Sequence, residues 1–184
     1  MTRQSILDTQ ELLVTVAPMR FTLDDAQHAA DAWGCNCGPG AFAAVLGLTL
    51  DEARQHLRGF DAKGYTNPTM MRDGLRSAGV AFEKVDTVWP FGVGLVRVQW
   101  EGPWTEPHVP IRARYRHTHW IGARQCGENI WNQEIFDINC MCVGGWVLLR
   151  EWVDSVVPWL MKECEPKSYI GRWHQTHVLR LISP

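Results

Sequence analysis

The sequence predicts an α+β fold in which helices come first and an antiparallel sheet follows. Three observations predict it. Apolar residues at helical spacing between N-cap and glycine signals fill residues 21–78, and β-branched and aromatic runs separated by turn residues fill residues 80–138. The chain of 184 residues has the length of about one domain. We therefore expect residues 1–184 to form one domain, with N-terminal helices packed on the sheet and a further helix and strand near the C-terminus.

Four helices are predicted in the first part, each from a local start signal. They are 21–33 with Thr22 as N-cap and Gly34 as stop, 38–48 opening with Gly38-Pro39, 51–57 capped by Thr49, and 68–78 after Asn67. The second helix is apolar from Ala41 to Leu48, so we expect it to be central and buried.

Strands are predicted after Gly79, where β-branched and aromatic residues alternate with turn signals. They are 80–85, 93–100, 117–124, 129–138 after a hairpin turn at Gly127, and 173–182. Gly145 precedes a predicted helix over 146–161, which Pro158 kinks or ends.

Composition and charge exclude several classes of protein. With 18 basic and 20 acidic side chains the net charge is −2, which argues against nucleic acid as a partner. No run approaches the roughly 18 apolar residues of a membrane span, and the first twenty residues lack a secretory pattern. Six cysteines then favour a reducing compartment, so we expect a cytoplasmic protein; the ten tryptophans are expected to be core and interface anchors.

The strongest chemical signal is Asn36-Cys37-Gly38-Pro39, directly ahead of the buried helix. A thiol at a helix N-terminus meets unpaired N–H groups and the positive end of the helix dipole, and both stabilise a thiolate. Cys37 is therefore a candidate nucleophile, and a buried structural cysteine at a turn is the alternative.

A nucleophilic thiol needs a base and a group that orients the base. His119 lies in one predicted strand, and Asp137 comes at the end of the next. A turn near Gly127 would place residue 119 opposite residue 135, within a side chain's reach of Asp137. His117, on the same strand face as His119, is the competing base, and Asn132 and Asn139 are competing orienting residues.

These residues resemble the papain-like cysteine peptidase superfamily, above all the bacteriocin-leader peptidases and transglutaminase-like branches. The matching positions are Cys37-Gly38-Pro39, His119-Trp120-Ile121 and Asp137, and the likeness covers about residues 31–139. The chain also resembles phage-encoded proteins of this size. The resemblance implies a papain-like fold and a Cys-His-Asp triad that acts through an acyl-enzyme.

One position departs from the leader-peptidase pattern. In those enzymes a glutamine six residues before the nucleophile completes the oxyanion hole, and here that residue is Asp31, whose charge opposes an oxyanion. The N–H of Cys37 with Asn36, Trp33 or a residue from elsewhere would then have to serve. An inactive module is therefore expected as the main alternative to an enzyme.

Paired cysteines allow a second kind of site. Cys35, Cys37, Cys140 and Cys142 form two Cys-x-Cys pairs that could together hold zinc, although a one-residue spacing is unusual for zinc ligands. We otherwise expect no metal and no cofactor.

The sequence thus predicts a cysteine hydrolase, a peptidase or amidase, with a peptide or protein as substrate. The alternatives are a cell-wall peptide hydrolase or acyltransferase, and a catalytically silent papain-like module that serves assembly or partner binding. In a phage-encoded protein, such a module would be associated with the virion.

Overall fold

The computed structural model describes residues 17–86, 92–125, 132–163 and 168–182. Within these ranges the protein is α+β, with eight helices and a six-stranded antiparallel sheet, which confirms the predicted fold class. The predicted turn at Gly127 and residues 129–131 of the fourth predicted strand lie outside the described ranges. None of the helices in those ranges is long and apolar enough to cross a membrane.

The described elements follow the predicted order. The helices are α1 Leu23–Trp33, α2 Cys37–Leu46, α3 Leu50–His56, α4 Phe60–Lys63, α5 Pro68–Ser77, α6 Ile111–Arg114, α7 Leu149–Glu151 and α8 Val157–Glu163. The strands are β1 Phe82–Val85, β2 Val93–Trp100, β3 Thr118–Gln125, β4 Gln133–Phe136, β5 Trp146–Leu148 and β6 Trp173–Leu181.

Capping residues set the starts of three helices as predicted. The side chains of Thr22, Thr49 and Asn67 lie at the starts of α1, α3 and α5. Each accepts a hydrogen bond from the backbone N–H of the residue three positions later. Gly34 ends α1 in the left-handed conformation, at φ 70°, which favours glycine. The short helices α4 and α6 were not predicted, because four-residue segments carry too little periodicity to be recognised.

The sheet has the strand order β1-β6-β2-β3-β4-β5 and separates two apolar cores. Helices α1–α3 and α5 pack on one face, which holds Leu95, Trp120 and Leu179. The segment from α7 to α8 packs on the other face, which holds Val96 and Ile121. All eight residues of β2 are buried, so the sheet is the middle layer of three.

The segment after Gly145 differs from the prediction. Residues 146–148 form β5, which pairs with β4, and the helix begins only at Leu149. The apolar edge of β4 explains this, because Trp146 lies beside Phe136 with ring centroids 5.7 Å apart. Pro158 does not end the helix: a π-helical turn, Trp152–Val156, precedes it and accommodates the missing N–H, and α8 continues to Glu163.

Helix α2 lies buried between the other helices and the sheet, and its glycines permit this close packing. A Cβ on Gly38 would lie 2.6 Å from Cγ2 and 2.7 Å from Cβ of the buried Thr66, and nearer still to its Oγ1. Gly38 therefore fixes the distance between the start of α2 and the start of α5.

Gly38→Ala is expected to destabilise the protein by about 1–3 kcal/mol, because overpacking forces backbone and side chains apart. Urea unfolding of the full chain measures this change. Thr66→Ala in the same chain should recover part of the loss, because it removes Oγ1 and Cγ2 but leaves Cβ. Equal stability of Gly38→Ala and the wild type would contradict this packing.

Candidate active site

Cys37 is the first residue of α2, with its thiol at the N-terminal end of the helix. Asn36, at the N-cap position, uses its side-chain amide to donate to the carbonyl of Ala26 at 2.8 Å. Asn36 thus ties α2 to α1 instead of capping α2. Of the first helical turn, Pro39 has no N–H, the N–H of Gly40 donates to the carbonyl of Asn36 at 2.8 Å, and the N–H of Cys37 hydrogen-bonds to the Cys35 thiol. The N–H of Gly38 is therefore the first-turn donor that can serve an anion or a polarised carbonyl.

A second thiol lies beside the first. The sulfur of Cys35 is 3.7 Å from that of Cys37, within hydrogen-bonding distance for two sulfurs. The side-chain hydrogen bond from Cys37, helped by the N–H of Cys37 and the charge of His119, lowers the pKa of Cys35 to about 6 against the effect of burial. The same hydrogen bond, together with burial, raises the pKa of Cys37 well above its usual value. The two thiols therefore share one negative charge and one proton near neutral pH.

His119 and Asp137 form a buried pair. Nε2 of His119 lies 3.0 Å from Oδ1 of Asp137, whose side chain has no solvent exposure. Since a carboxylate only accepts, Nε2 carries the hydrogen and Nδ1 is the nitrogen that can take a proton. Burial opposes a charge on His119, but the charge and hydrogen bond of Asp137 outweigh it and raise the pKa of the imidazole.

Asp137 is held by more donors than His119 alone. Its Oδ1 also accepts from the backbone N–H of Asn139 at 2.9 Å and from the side-chain amide of Asn139 at 2.8 Å. Its Oδ2 accepts from Nε1 of the buried Trp152 at 2.8 Å. Burial would raise the pKa of this carboxyl, but these partners, with the charge of His119 the strongest, hold the pKa at about 2.

The register of β3 and β4 differs from the prediction. Gly122 pairs with Phe136 and Ala123 with Ile135, so residue 119 falls opposite residue 139 and not 135. The predicted register was wrong because it centred the turn on Gly127, whereas the chain from Gln125 to Gln133 is longer than a tight turn. Asp137 still reaches His119, because β4 ends at Phe136 and the chain then turns into the 3-10 segment Ile138–Val143.

The end of β4 opens the sheet beside the thiols. The N–H of Trp100 donates to the carbonyl of His117, which means that every second residue of β3, including His119, directs its N–H toward β2. The N–H of Trp120 therefore points to the opposite side, where β4 has already ended. This N–H reaches the thiol of Cys37 and opposes the rise in its pKa. The thiol is thus at the backbone next to His119, and the charge of Asp137 also acts on it.

The alternative base and orienting residues have other roles. His117 lies just before β3 at φ 48°, and its ring packs on Trp104 and Tyr169, whereas the hydrogen bond to Asp137 is made by His119. The centroid of the His117 ring lies 4.5 Å from that of Trp104, and burial lowers the pKa of His117. Asn132 is exposed, and Asn139 supports Asp137 rather than replacing it.

Asp31, the residue that departs from the leader-peptidase pattern, faces solvent. Its carboxylate accepts from Nε2 of Gln27 at 3.0 Å on the exposed side of α1. Trp33, another candidate oxyanion donor, packs its ring against Phe60. Neither of these contacts is directed at the thiols, which leaves the N–H of Gly38 at the start of α2 as the candidate oxyanion donor.

The zinc alternative finds no support in the geometry. Within the described parts of the chain, no three His, Cys, Asp or Glu side chains are placed to hold one metal ion. Cys35 and Cys37 lie together, but Cys140 is buried and Cys142 is exposed in the 3-10 segment after β4.

The chain matches no family model, no curated protein and no solved structure with which it was compared. The assignment of the candidate site is therefore supported by the geometry of this chain alone.

The sequence did not indicate two members of this site. The sequence predicted Cys35 only as a metal ligand, although its one-residue spacing from Cys37 was a signal for a thiol pair. Trp152 lies fifteen residues after Asp137 in a different element, and no local pattern distinguishes it from the other tryptophans.

Proposed function

We propose that this protein is a cysteine hydrolase that cleaves a peptide or amide bond through an acyl-enzyme. The observation that carries the proposal is a buried His119–Asp137 pair beside two thiols at the N-terminal end of a buried helix. A nucleophile, a base and a group that orients the base are the set that acyl transfer requires.

Cys37 is the attacking sulfur in this proposal, because it starts α2 and lies at the N–H of Trp120, next to His119. Before the substrate binds, Cys35 carries the negative charge and Cys37 carries the proton. The proton can pass between the two sulfurs, which lie 3.7 Å apart. When the proton moves to Cys35, or to Nδ1 of His119, the Cys37 thiolate attacks the substrate carbonyl. The N–H of Gly38 at the start of α2 stabilises the oxyanion that forms.

The C–N bond of the substrate then breaks, and the leaving amine takes the proton that Cys37 lost, from Nδ1 of His119 directly or from Cys35 by way of that nitrogen. The acyl group remains on Cys37. Water releases it in hydrolysis, whereas an amine would release it in acyl transfer, so the acyltransferase alternative uses the same first step. Asp137 acts as a positioning residue, since it fixes Nε2 of His119 as the protonated nitrogen.

The order of these elements supports a papain-like arrangement, with a thiol at a helix start and His and Asp at the ends of adjacent strands. The second candidate is a papain-like module without catalysis that binds a partner. The half-exposed Trp159 on α8 favours it, because exposed tryptophans are frequent in interfaces.

Iodoacetamide labelling separates the two functions. At pH 7 we expect the Cys35–Cys37 pair to react much faster than exposed Cys142, because a pKa of about 6 makes the pair mostly thiolate. The labelling rate of the pair should increase with pH, and the midpoint of that increase should lie near pH 6. Cys140, whose pKa is raised by burial to about 12, should react slowest of these four. Mass spectrometry of quenched samples measures the rates.

Cys142 is the internal control for thiol access, since it is exposed and belongs to the same chain. A thiol pair that reacts no faster than Cys142 at any pH from 5 to 9 would contradict the hydrolase and support the silent module.

A further inference from the structure

On one face of the sheet, three buried side-chain nitrogen atoms have no hydrogen-bond partner among the described residues. They are Nε of Arg97, Nε1 of Trp120 and Nδ1 of His177. Arg97 is 6% exposed and Trp120 only 2%. Buried donors are nearly always paired in folded proteins, so a group of unpaired ones indicates a ligand that pairs them.

The three residues occupy one row across three adjacent strands. Arg97 of β2 pairs in register with Trp120 of β3 on one side and with His177 of β6 on the other. Side chains alternate along a strand, so Arg97 shares the sheet face of Leu95, which is the face that α2 covers. Trp120 packs in the same core, and His177 shares that face with Leu179.

The row extends to the thiols. Burial lowers the pKa of Arg97, and the charges of Tyr115 and Cys37 partly oppose that shift, while the backbone N–H of Trp120 meets the Cys37 thiol. Arg97 is fixed in place, because one of its terminal nitrogens donates to Oγ1 of Thr118 at 3.0 Å and its guanidinium lies 5.3 Å from the centroid of the Tyr115 ring.

Charges around the row favour an anion. Burial, together with the charges of Arg97, Lys84 and Arg72, lowers the pKa of His177 to about 4. Asp86 is the nearby counter-charge, but it pairs with Lys84 at 3.6 Å and is almost fully exposed. His177 also lines an open depression of about 450 Å³.

We propose that Arg97, Trp120 and His177 form a subsite for a carboxylate of the substrate. The inference rests on the proposed hydrolase and names its substrate class: a peptide or amide with a carboxylate near the bond that is cleaved. The outer strands of the row, β3 and β6, are about 10 Å apart, which is two strand spacings. The row is therefore wider than an oxyanion hole, which holds a single oxygen. The carboxylate belongs either to an acidic side chain or to a chain end.

Two alkylating agents test the subsite. Iodoacetate carries a carboxylate, and iodoacetamide is its neutral counterpart of nearly equal size. We expect the ratio of the iodoacetate rate to the iodoacetamide rate to be about tenfold higher at the Cys35–Cys37 pair than at Cys142. Arg97→Met should remove this preference, and Arg97→Lys should keep part of it. Arg180→Met, which changes another sheet arginine paired with Glu83, is the matched control and should leave the ratio unchanged.

Thermal unfolding of the full chain provides a measurement that needs no reactive thiol. The probes are N-acetylglutamate α-amide, N-acetylglutamine and N-acetylglutamine α-amide, which present a side-chain carboxylate, a chain-end carboxylate and no carboxylate. Binding should raise Tm with the concentration of one or both acids and not with the diamide. The acid that raises Tm more identifies the source of the carboxylate. Trp120→Phe and Arg97→Met should each reduce the shift.

The outcomes separate this inference from the proposed function. Fast labelling by iodoacetamide, with no iodoacetate preference and no Tm shift from either acid, would overturn the subsite and leave the hydrolase standing. Slow labelling of the pair together with a carboxylate-dependent Tm shift, lost in Arg97→Met, would support the anion site and overturn the hydrolase.

Discussion

Cys37→Ala is expected to abolish peptide or amide hydrolysis, whereas Cys35→Ala should retain it with a changed pH dependence. Loss of an attacking nucleophile lowers kcat on the order of 10⁴–10⁶-fold. Both thiols are partly buried at the start of α2, and alanine fits either position with little change in packing. Circular dichroism and urea unfolding should therefore show both variants folded.

The direction of the pH shift follows from the hydrogen bond between the two sulfurs. In the wild type the donated S–H lowers the pKa of Cys35 to about 6, so the active ionisation is present above that pH and is lost as pH falls through it. Cys35→Ala leaves Cys37 without this partner, while burial still raises its pKa. The rising limb of activity should then move to higher pH.

Cys35→Ser is the matched control, because its hydroxyl can donate a hydrogen bond to the Cys37 thiolate and should reverse part of the shift. Rates of hydrolysis and of iodoacetamide alkylation between pH 5 and 10 measure it. If Cys35→Ala loses turnover and Cys37→Ala keeps it, the attacking sulfur is Cys35. Turnover in both single variants and in the double variant would rule out a thiol nucleophile.

The sequence predicted the parts of the fold that local chemistry determines. Thr22, Thr49 and Asn67 start helices because their side chains cap the N–H three residues into the helix, a contact within one turn of chain. The strand predicted over residues 93–100 has the bounds of β2, Val93–Trp100. These features need no knowledge of distant neighbours.

Parts that depend on distant contacts were missed or misplaced. Residues 146–148 were predicted as helix because they continue the apolar spacing of the helix that follows. They form β5 because they pair with the edge of β4, which is distant in the local pattern. Arg97 is one charge within an apolar strand, and its direction into the face under α2 depends on the sheet order, in which β6 lies between β1 and β2. Partners so far apart in sequence leave no local signal.

The site divides in the same way. Cys37, His119 and Asp137 were identified as candidates from their chemistry and order, and the structure brings His119 to Asp137 and the Cys37 thiol to the backbone beside His119. Their catalytic roles remain predictions. Trp152 could not have been identified, because its contact with Asp137 arises only when the C-terminal helix packs on the sheet.

Asp137→Asn is expected to lower both activity and stability. An amide cannot supply the charge that raises the pKa of His119, and it does not hold Nε2 as the protonated nitrogen, so kcat should fall on the order of 10³–10⁴-fold. The pKa of His119, followed by NMR, should fall as well. This change distinguishes a positioning role from a merely structural one.

The loss of stability has a geometric cause. Asp137 accepts from four donors, three on Oδ1 and one on Oδ2. An asparagine that keeps its oxygen toward His119 and Asn139 must direct its N–H groups at Nε1–H of Trp152, donor against donor, inside the protein. The free energy of unfolding should fall by about 1–3 kcal/mol, as when a buried hydrogen-bond donor is left without an acceptor.

A double-mutant cycle with Trp152→Phe tests this cause, because phenylalanine removes the opposing N–H and keeps an aromatic ring in the core. Asp137→Asn should cost less in the Trp152→Phe background than alone. The wild type should also lose about 2 kcal/mol as pH falls from 5 to 2, since the folded pKa of Asp137, about 2, lies below its unfolded value. Asp137→Asn should lack that part of the acid dependence. Equal costs in both backgrounds, with an unchanged acid profile, would show that the carboxylate does not carry the charge on which His119 depends.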